Sequence, residues 1–97
     1  MRTINNYSTH AQQRAQQRGI PQALVDHLLR FGMARQAHDN CRQYYLTQKS
    51  LKRARKVLDK QEYLLLEKKS NCYLVLSEDD GVIVTIGYIN KKIKRLH

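Results

Sequence analysis

The feature that most constrains the fold is a pair of apolar runs near the C-terminus, separated by an acidic turn. The runs CYLVL (72–76) and VIVTI (82–86) flank the sequence EDDG (78–81). β-Branched and aromatic residues favour strands, and an Asp-Gly pair between two such runs favours a tight turn. The sequence therefore predicts an antiparallel hairpin with Gly81 at positive φ. Because both runs are continuously apolar, we expect these strands to be buried on both faces.

Two helices are predicted in the first third of the chain. Ser8 or Thr9 can cap the first helix, and Gly19 can end it in a left-handed conformation. The second helix covers residues 21–31, with a proline in its first turn and a glycine after its end. Its apolar residues recur at helical spacing and form one face, made of Leu24, Val25, Leu28 and Leu29.

The middle of the chain is less regular. Residues 33–47 lack helical periodicity and contain the turn-forming pair Asp39-Asn40, so a strand or a hairpin is predicted there. Residues 50–60 carry apolar side chains at helical spacing and are predicted to form a helix. Residues 61–69 either continue this helix or form a separate turn, and the pattern does not decide between helix and strand there.

Together these elements predict the α+β class. We expect two N-terminal helices packed on a small antiparallel sheet, with a further basic helix inserted before the C-terminal β-hairpin. A chain of 97 residues can bury one modest core, so we expect a single domain over residues 1–97. Residues 91–97 contain four basic side chains and are expected to form a loosely ordered basic tail.

The charge of the chain points to a polyanionic partner. There are 18 lysines and arginines against 8 acidic residues, which gives a net charge of +10. Such a surface attracts nucleic acid first, with an anionic membrane or an acidic protein behind it. Residues 41–69 alone carry +6, and a helix there would bury one stripe and expose either a cationic binding face or a merely solvated one. The residues predicted to bind nucleic acid are Tyr44, Lys49, Lys52, Arg53, Arg55 and Lys56.

Several classes of protein are disfavoured by the same sequence. Cys41 and Cys72 are too few and too far apart for a zinc motif, so we expect free thiols and no metal site. The four glycines are not clustered, and we expect no phosphate-binding glycine loop and no cofactor. No run approaches the roughly 18 apolar residues of a spanning helix, and the N-terminus does not resemble a signal peptide. We therefore expect a cytoplasmic protein without a membrane partner.

The first predicted helix holds the best candidates for chemistry. His10, Arg14 and Arg18 recur at i, i+4 and i+8 and therefore share one stripe of the helix. An imidazole that titrates near neutral pH, followed by two permanently charged guanidiniums, could hold a phosphodiester and move a proton at it. The alternative interpretation is a solvated Gln- and Arg-rich face with an alanine seam against the core.

Three features, spread over about residues 10–88, carry a resemblance to a known family. They are the motif HAxxRxxxRGI (10–20), the short amphipathic helix after it and the motif DGxxVT (80–85). In this order they resemble a small bacterial domain family of unknown function, related to the RelE, ParE and BrnT toxins within the barnase, EndoU, colicin and RelE nuclease-like fold. The resemblance implies a RelE-like toxin domain with metal-independent ribonuclease chemistry and an acidic antitoxin as partner. Relatives of such folds also lose catalysis and keep the scaffold.

Metal-free RNA cleavage requires a base for the 2′-hydroxyl, cations for the phosphorane and an acid for the leaving 5′-oxygen. His10 is the predicted base or acid, and Arg14 and Arg18 are predicted to clamp the phosphate. Tyr88 is the fourth predicted catalytic residue, because its phenol could donate a proton or stack on a base, as Tyr44 and Tyr45 also could. For any single tyrosine, packing in the core or the sheet is the competing role.

Two function hypotheses follow. The first is a toxin-type, metal-independent endoribonuclease that cleaves RNA, as part of a toxin–antitoxin or related bacterial system. The second is a non-catalytic module on the same fold that binds nucleic acid, RNA or DNA, or an acidic protein. An exposed His10 beside both arginines and a tyrosine in a concave surface favours the first hypothesis, whereas a His10 ring packed under the second helix favours the second.

Overall fold

The computed structural model describes residues 6–89, and its α+β class agrees with the prediction. The expected basic tail at residues 91–97 lies outside the described residues. In chain order the elements are β1 (Asn6–Tyr7), α1 (Thr9–Gln17), α2 (Gln22–Phe31), β2 (Met33–Gln36), β3 (Cys41–Tyr45), α3 (Gln48–Val57), α4 (Lys60–Lys68), β4 (Cys72–Ser77) and β5 (Val82–Tyr88).

Side-chain caps explain where three of the helices begin. Ser8, Thr47 and Asp59 each accept a hydrogen bond from the backbone N–H three residues further on. These bonds satisfy N–H groups that have no partner inside the helix. Of the two residues predicted to cap α1, Ser8 and Thr9, it is Ser8 that does so, and α1 begins at the next residue.

The helix predicted at residues 50–60 ends earlier than expected, and a second helix follows it. α3 ends at Val57 because Leu58 takes extended backbone angles, with φ −85° and ψ 152°. Asp59 then caps α4, which covers most of the segment 61–69 that the sequence left open. The inserted basic helix is therefore α3, and α4 lies between it and the C-terminal hairpin.

The strands form one sheet in the order β1-β5-β4-β3-β2. β2 to β5 pair antiparallel, and β1 adds a short parallel pair to β5 that the sequence does not predict. Asp39 and Asn40 both have positive φ between β2 and β3, as a tight hairpin turn requires. Gly81 has φ 71° between β4 and β5, which confirms the predicted turn.

All four helices contribute to a core on one face of the sheet. α1 contacts β5, and α2 contacts β3 and β4, so the two N-terminal helices cover the sheet as predicted. α3 packs against α2 and α4. Fully buried core residues include Leu24, Leu28, Leu66, Leu74, Ile83 and Ile86.

The expected burial on both faces of β4 and β5 is wrong. The register places Met33, Tyr45 and Tyr73 side by side on β2, β3 and β4, on the face opposite the core. Tyr45 and Tyr73 are half-buried and Met33 is 42% exposed. The four helices all pack on the other face, so the apolar side chains here are sheltered mainly by their neighbours within the sheet.

Candidate nucleic-acid interface

The basic face predicted from the middle of the sequence lies on α3. Ser50 and Ala54 are completely buried and anchor this helix against α2 and α4. The residues that point away from this anchor are exposed, because they lie on the opposite side of a helix with 3.6 residues per turn. They are Lys49, Lys52, Arg53, Arg55 and Lys56.

In the part of the chain that the structure describes, no carboxylate forms an ion pair with a basic residue of this face. The sequence of α3 contains no acidic residue. Within residues 6–89, an ion pair joins Arg42 to Glu78. It lies in the sheet and does not involve α3. The positive charges of α3 are therefore available to an anionic ligand.

The two arginines of α3 are held in place at the two edges of the face. The Arg53 guanidinium donates a hydrogen bond of 2.7 Å to the carbonyl oxygen of Phe31, the last residue of α2. On the other edge, the Arg55 guanidinium carbon lies 5.9 Å from the centre of the Tyr63 ring of α4. Lys49, Lys52 and Lys56 lie between them without a hydrogen-bond partner among the described residues, and they form the free centre of the cationic face. The arginines fix its borders.

A cavity of about 460 Å³ lies beside the Arg55 edge, between α3 and α4. Its walls combine apolar and aromatic groups with three charged residues. Two large apolar residues stand out near it, since Val57 is 54% exposed and Leu64 is 48% exposed. The lining residues are Arg55, Leu58, Lys60, Tyr63, Leu64 and Glu67.

Tyr44, the aromatic residue predicted to bind nucleic acid, points to the helix-covered face of the sheet, whereas Tyr45 points to the open face. Tyr44 pairs with Leu74 and packs against the hydrophobic core under the helices. Tyr45 and Tyr73 are register partners on the open face, where the Arg35 guanidinium lies 5.1 Å from the centre of the Tyr45 ring. Tyr73 is not among the residues predicted from the sequence to bind nucleic acid. Side chains alternate between the two faces of a strand, so Tyr73 lies on the face opposite the buried Cys72 and Leu74.

The predicted catalytic stripe lies along α1. His10 and Arg18 are exposed, and Arg14 is half-buried next to the buried Ala11 and Ala15. Along the described chain, no hydrogen bond joins the His10 ring to either arginine. From His10 to Arg18 the stripe extends about 12 Å along the helix axis.

Tyr88, the fourth predicted catalytic residue, lies at the end of α1 that is remote from His10. Its hydroxyl donates a 3.2 Å hydrogen bond to the Arg18 carbonyl oxygen and accepts one of 3.2 Å from Lys69 Nζ. Lys69 Nζ also donates to the Gly19 carbonyl oxygen at 3.4 Å. Tyr88 and Lys69 thus satisfy carbonyl groups that follow α1, a position where a cation is favourable.

The structure therefore does not bring all four predicted catalytic residues together. The backbone N–H of Ser8, at the start of α1, bonds to the Ile83 carbonyl oxygen, and Tyr88 lies five residues further along β5. Five residues of strand separate the two ends of α1 by roughly 15 Å. Neither the cavity at α3 and α4 nor the smaller one beside α1 is lined by His10. The His10 ring is exposed, so it is not packed under α2.

Among the described residues, Cys72 and Tyr7 also have raised pKa values. Burial raises the pKa of Cys72 to about 12, so this thiol stays protonated, and both cysteines are free. Burial and the nearby Asp26 raise the pKa of Tyr7, whose hydroxyl donates to Gln22 Oε1 at 2.8 Å. In the part of the chain that the structure describes, no group of three or more His, Cys, Asp or Glu side chains could hold a metal ion. No helix in residues 6–89 is long and apolar enough to cross a membrane.

Comparison of the chain with protein-family models, with curated proteins and with solved structures finds no match in any of the three. The relationship to the RelE-like toxins stays a prediction from the sequence motifs.

Proposed function

We propose that this protein binds RNA through the cationic face of α3. The observation that carries the proposal is a ten-residue helix with five exposed basic side chains and no acidic residue. In most surface helices, opposite charges at i, i+3 or i+4 offset one another, and α3 has no such pairs. A face of this kind is costly in self-repulsion unless a polyanion covers it.

The two held arginines strengthen the proposal. The Arg53 guanidinium is bonded to the Phe31 carbonyl, which limits the entropy that it loses when a ligand binds, and the Arg55 guanidinium lies over the Tyr63 ring. The three lysines between them can each meet a phosphate as compact point charges. RNA is the first candidate, DNA the second and an acidic protein such as an antitoxin the third. We place the binding in the cytoplasm, where the free thiols would stay reduced.

A salt titration tests this proposal. Binding of a single strand should weaken with salt by a log–log slope of about 0.7 for each phosphate that is neutralised. Replacing Lys49, Lys52 and Lys56 by glutamine should therefore reduce the slope by about 2. A control variant with Arg30, Arg35 and Lys68 replaced by glutamine has the same net charge and should keep most of the wild-type slope. Equal losses of slope in both variants would mean that α3 is not the contact surface.

RNA cleavage by α1 is the second candidate function, in keeping with a RelE-like, toxin-type endoribonuclease. The observation that favours it is the exposed ring of His10, with Arg14 one turn further along the same stripe. His10 would take the proton from the 2′-hydroxyl, Arg14 would hold the phosphate on which negative charge develops, and water would give a proton to the leaving 5′-oxygen. Tyr88 would not join this step, because its hydroxyl is bonded at the other end of α1.

Cleavage is tested with RNA, purified protein and EDTA. The products should carry 2′,3′-cyclic phosphate ends, and His10→Ala should abolish their formation while RNA binding stays nearly unchanged. Tyr88→Phe should leave the rate unchanged. RNA that is bound but uncut from pH 5 to 9 would remove this second candidate and leave the binding function in place.

A further inference from the structure

We infer that the cavity between α3 and α4 binds an unpaired base of the RNA strand whose phosphates lie on α3. This inference rests on the proposed RNA binding and adds the kind of RNA that is bound. Its starting point is that Arg55 belongs both to the cationic face and to the wall of the cavity. A strand that crosses the lysines of α3 therefore passes the mouth of this cavity.

The walls of the cavity have the chemistry that a base requires. The Tyr63 ring offers an aromatic surface for stacking, and the Arg55 guanidinium lies 5.9 Å from its centre. Leu58 and Leu64 supply apolar walls. Bases in single-stranded RNA are bound by such combinations of aromatic rings, guanidinium planes and apolar contacts. A volume of about 460 Å³ falls in the range of sites for small molecules and cofactors, so a base fits inside it.

Charge separates a base from the other candidate occupant, an acidic amphipathic peptide. Glu67 lines the cavity together with the cations Arg55 and Lys60. A carboxylate inside the cavity repels an acidic side chain, whereas it accepts a hydrogen bond from the exocyclic amine of a base such as cytosine. The cations at the same site face the phosphates on either side of that base. We therefore expect the cavity to prefer cytosine to uracil, which has no exocyclic amine.

The inference predicts a preference for single strands. In an A-form duplex the bases are stacked and paired, so they cannot enter a cavity between two helices of the protein. A duplex can still bind to the lysines of α3 through its phosphates. The preference for a single strand over a duplex thus reports on the cavity, while the salt dependence reports on α3.

The experiment measures fluorescence anisotropy of the full chain with oligocytidine, oligouridine and a duplex RNA of equal length. Tyr63→Leu should weaken oligocytidine binding about 5- to 150-fold, the range for loss of stacking on one base, and leave duplex binding unchanged. Tyr63→Phe retains the ring and should bind as the wild type does. Tyr73→Leu, a tyrosine of the open sheet face, is the matched control and should have no effect.

A second variant tests the same cavity if Tyr63→Leu does not fold. Glu67 is exposed, so Glu67→Gln should fold, and it should reduce the preference for oligocytidine over oligouridine. Unchanged single-strand binding in Tyr63→Leu, or equal losses in Tyr63→Leu and Tyr73→Leu, would overturn the base site. If the α3 lysines still set the salt slope in that case, the proposed function survives. If no RNA binds at all, the proposed function and the base site both fall.

Discussion

α1 and α3 are two short helices of similar design that differ in how their charges are used. Each is capped by a hydroxyl side chain and is anchored by small buried residues, Ala11 and Ala15 in α1 and Ser50 and Ala54 in α3. α1 lies against β5, however, while α3 packs mainly against α2 and α4. The carbonyls that follow α1 are bonded by Tyr88 and Lys69.

A basic stripe in a sequence does not by itself show whether it binds a ligand, because that depends on the residues that pack around it. Both helices contain basic residues at helical spacing, and both stripes were plausible sites for phosphate. In α1 the charges number two and lie along about 12 Å beside a single histidine. In α3 they number five and cluster on one exposed face, with the two arginines held by contacts to α2 and α4.

The largest loss of stability is expected from the turn between β4 and β5, because β5 is the strand against which α1 packs. Gly81 has φ 71°, and a Cβ there would touch no other atom within 4 Å, so only the backbone conformation resists a side chain. Gly81→Val should lower the free energy of unfolding by about 1–3 kcal/mol, as measured by urea denaturation. Hydrogen exchange should accelerate more in α1 than in α3. Gly81→Asn is the control, because asparagine tolerates positive φ.

Substitution of Arg53 should give the next largest loss of stability. It tests whether the arginines of α3 are held in place while its lysines are free. Arg53→Ala removes a charged hydrogen bond to the Phe31 carbonyl, which should cost about 1–2 kcal/mol of stability. Lys52→Ala, its exposed neighbour, should change stability by less than about 0.5 kcal/mol. Thermal denaturation of both variants tests this. If they melt together, Arg53 is as free as the lysines, and the held border of the cationic face does not exist.

Tyr88 should give the smallest effect and test how the end of α1 is closed. Tyr88→Phe removes the hydroxyl that bonds to the Arg18 carbonyl and Lys69, and should cost about 0.5–1 kcal/mol in urea denaturation. Lys69→Met in the Tyr88→Phe background should cost less than it does in the wild type, because Lys69 donates a hydrogen bond to the Tyr88 hydroxyl. Additive losses would show that the two side chains act independently.

Local signals made much of the fold predictable. The Asp80-Gly81 turn, the apolar face of α2 and the caps depend on residues close together in the chain. The parallel pairing of β1 with β5 depends on residues far apart and could not be inferred from the pattern. Burial was misjudged for β4 and β5 because an apolar run does not show which face the helices cover.

The candidate site was predictable to a smaller extent. The cationic face of α3 follows from helical spacing and charge, which local sequence records. The bond from Arg53 to Phe31 and the pairing of Arg55 with Tyr63 depend on packing between helices, so the sequence could not separate these arginines from the lysines. Tyr88 was grouped with His10 because nothing in the sequence fixes the direction of α1 along β5.

The main proposal is that α3 binds RNA, and on this proposal alone α1 makes no contact with the RNA. The most direct test is an NMR titration of the ¹⁵N-labelled protein with single-stranded oligocytidine, following the backbone amides. The account predicts that amides of Gln48–Val57 and the adjoining residues of α4 shift, while those of Thr9–Gln17 stay in place. Shifts confined to Thr9–Gln17, with α3 unmoved, would contradict it.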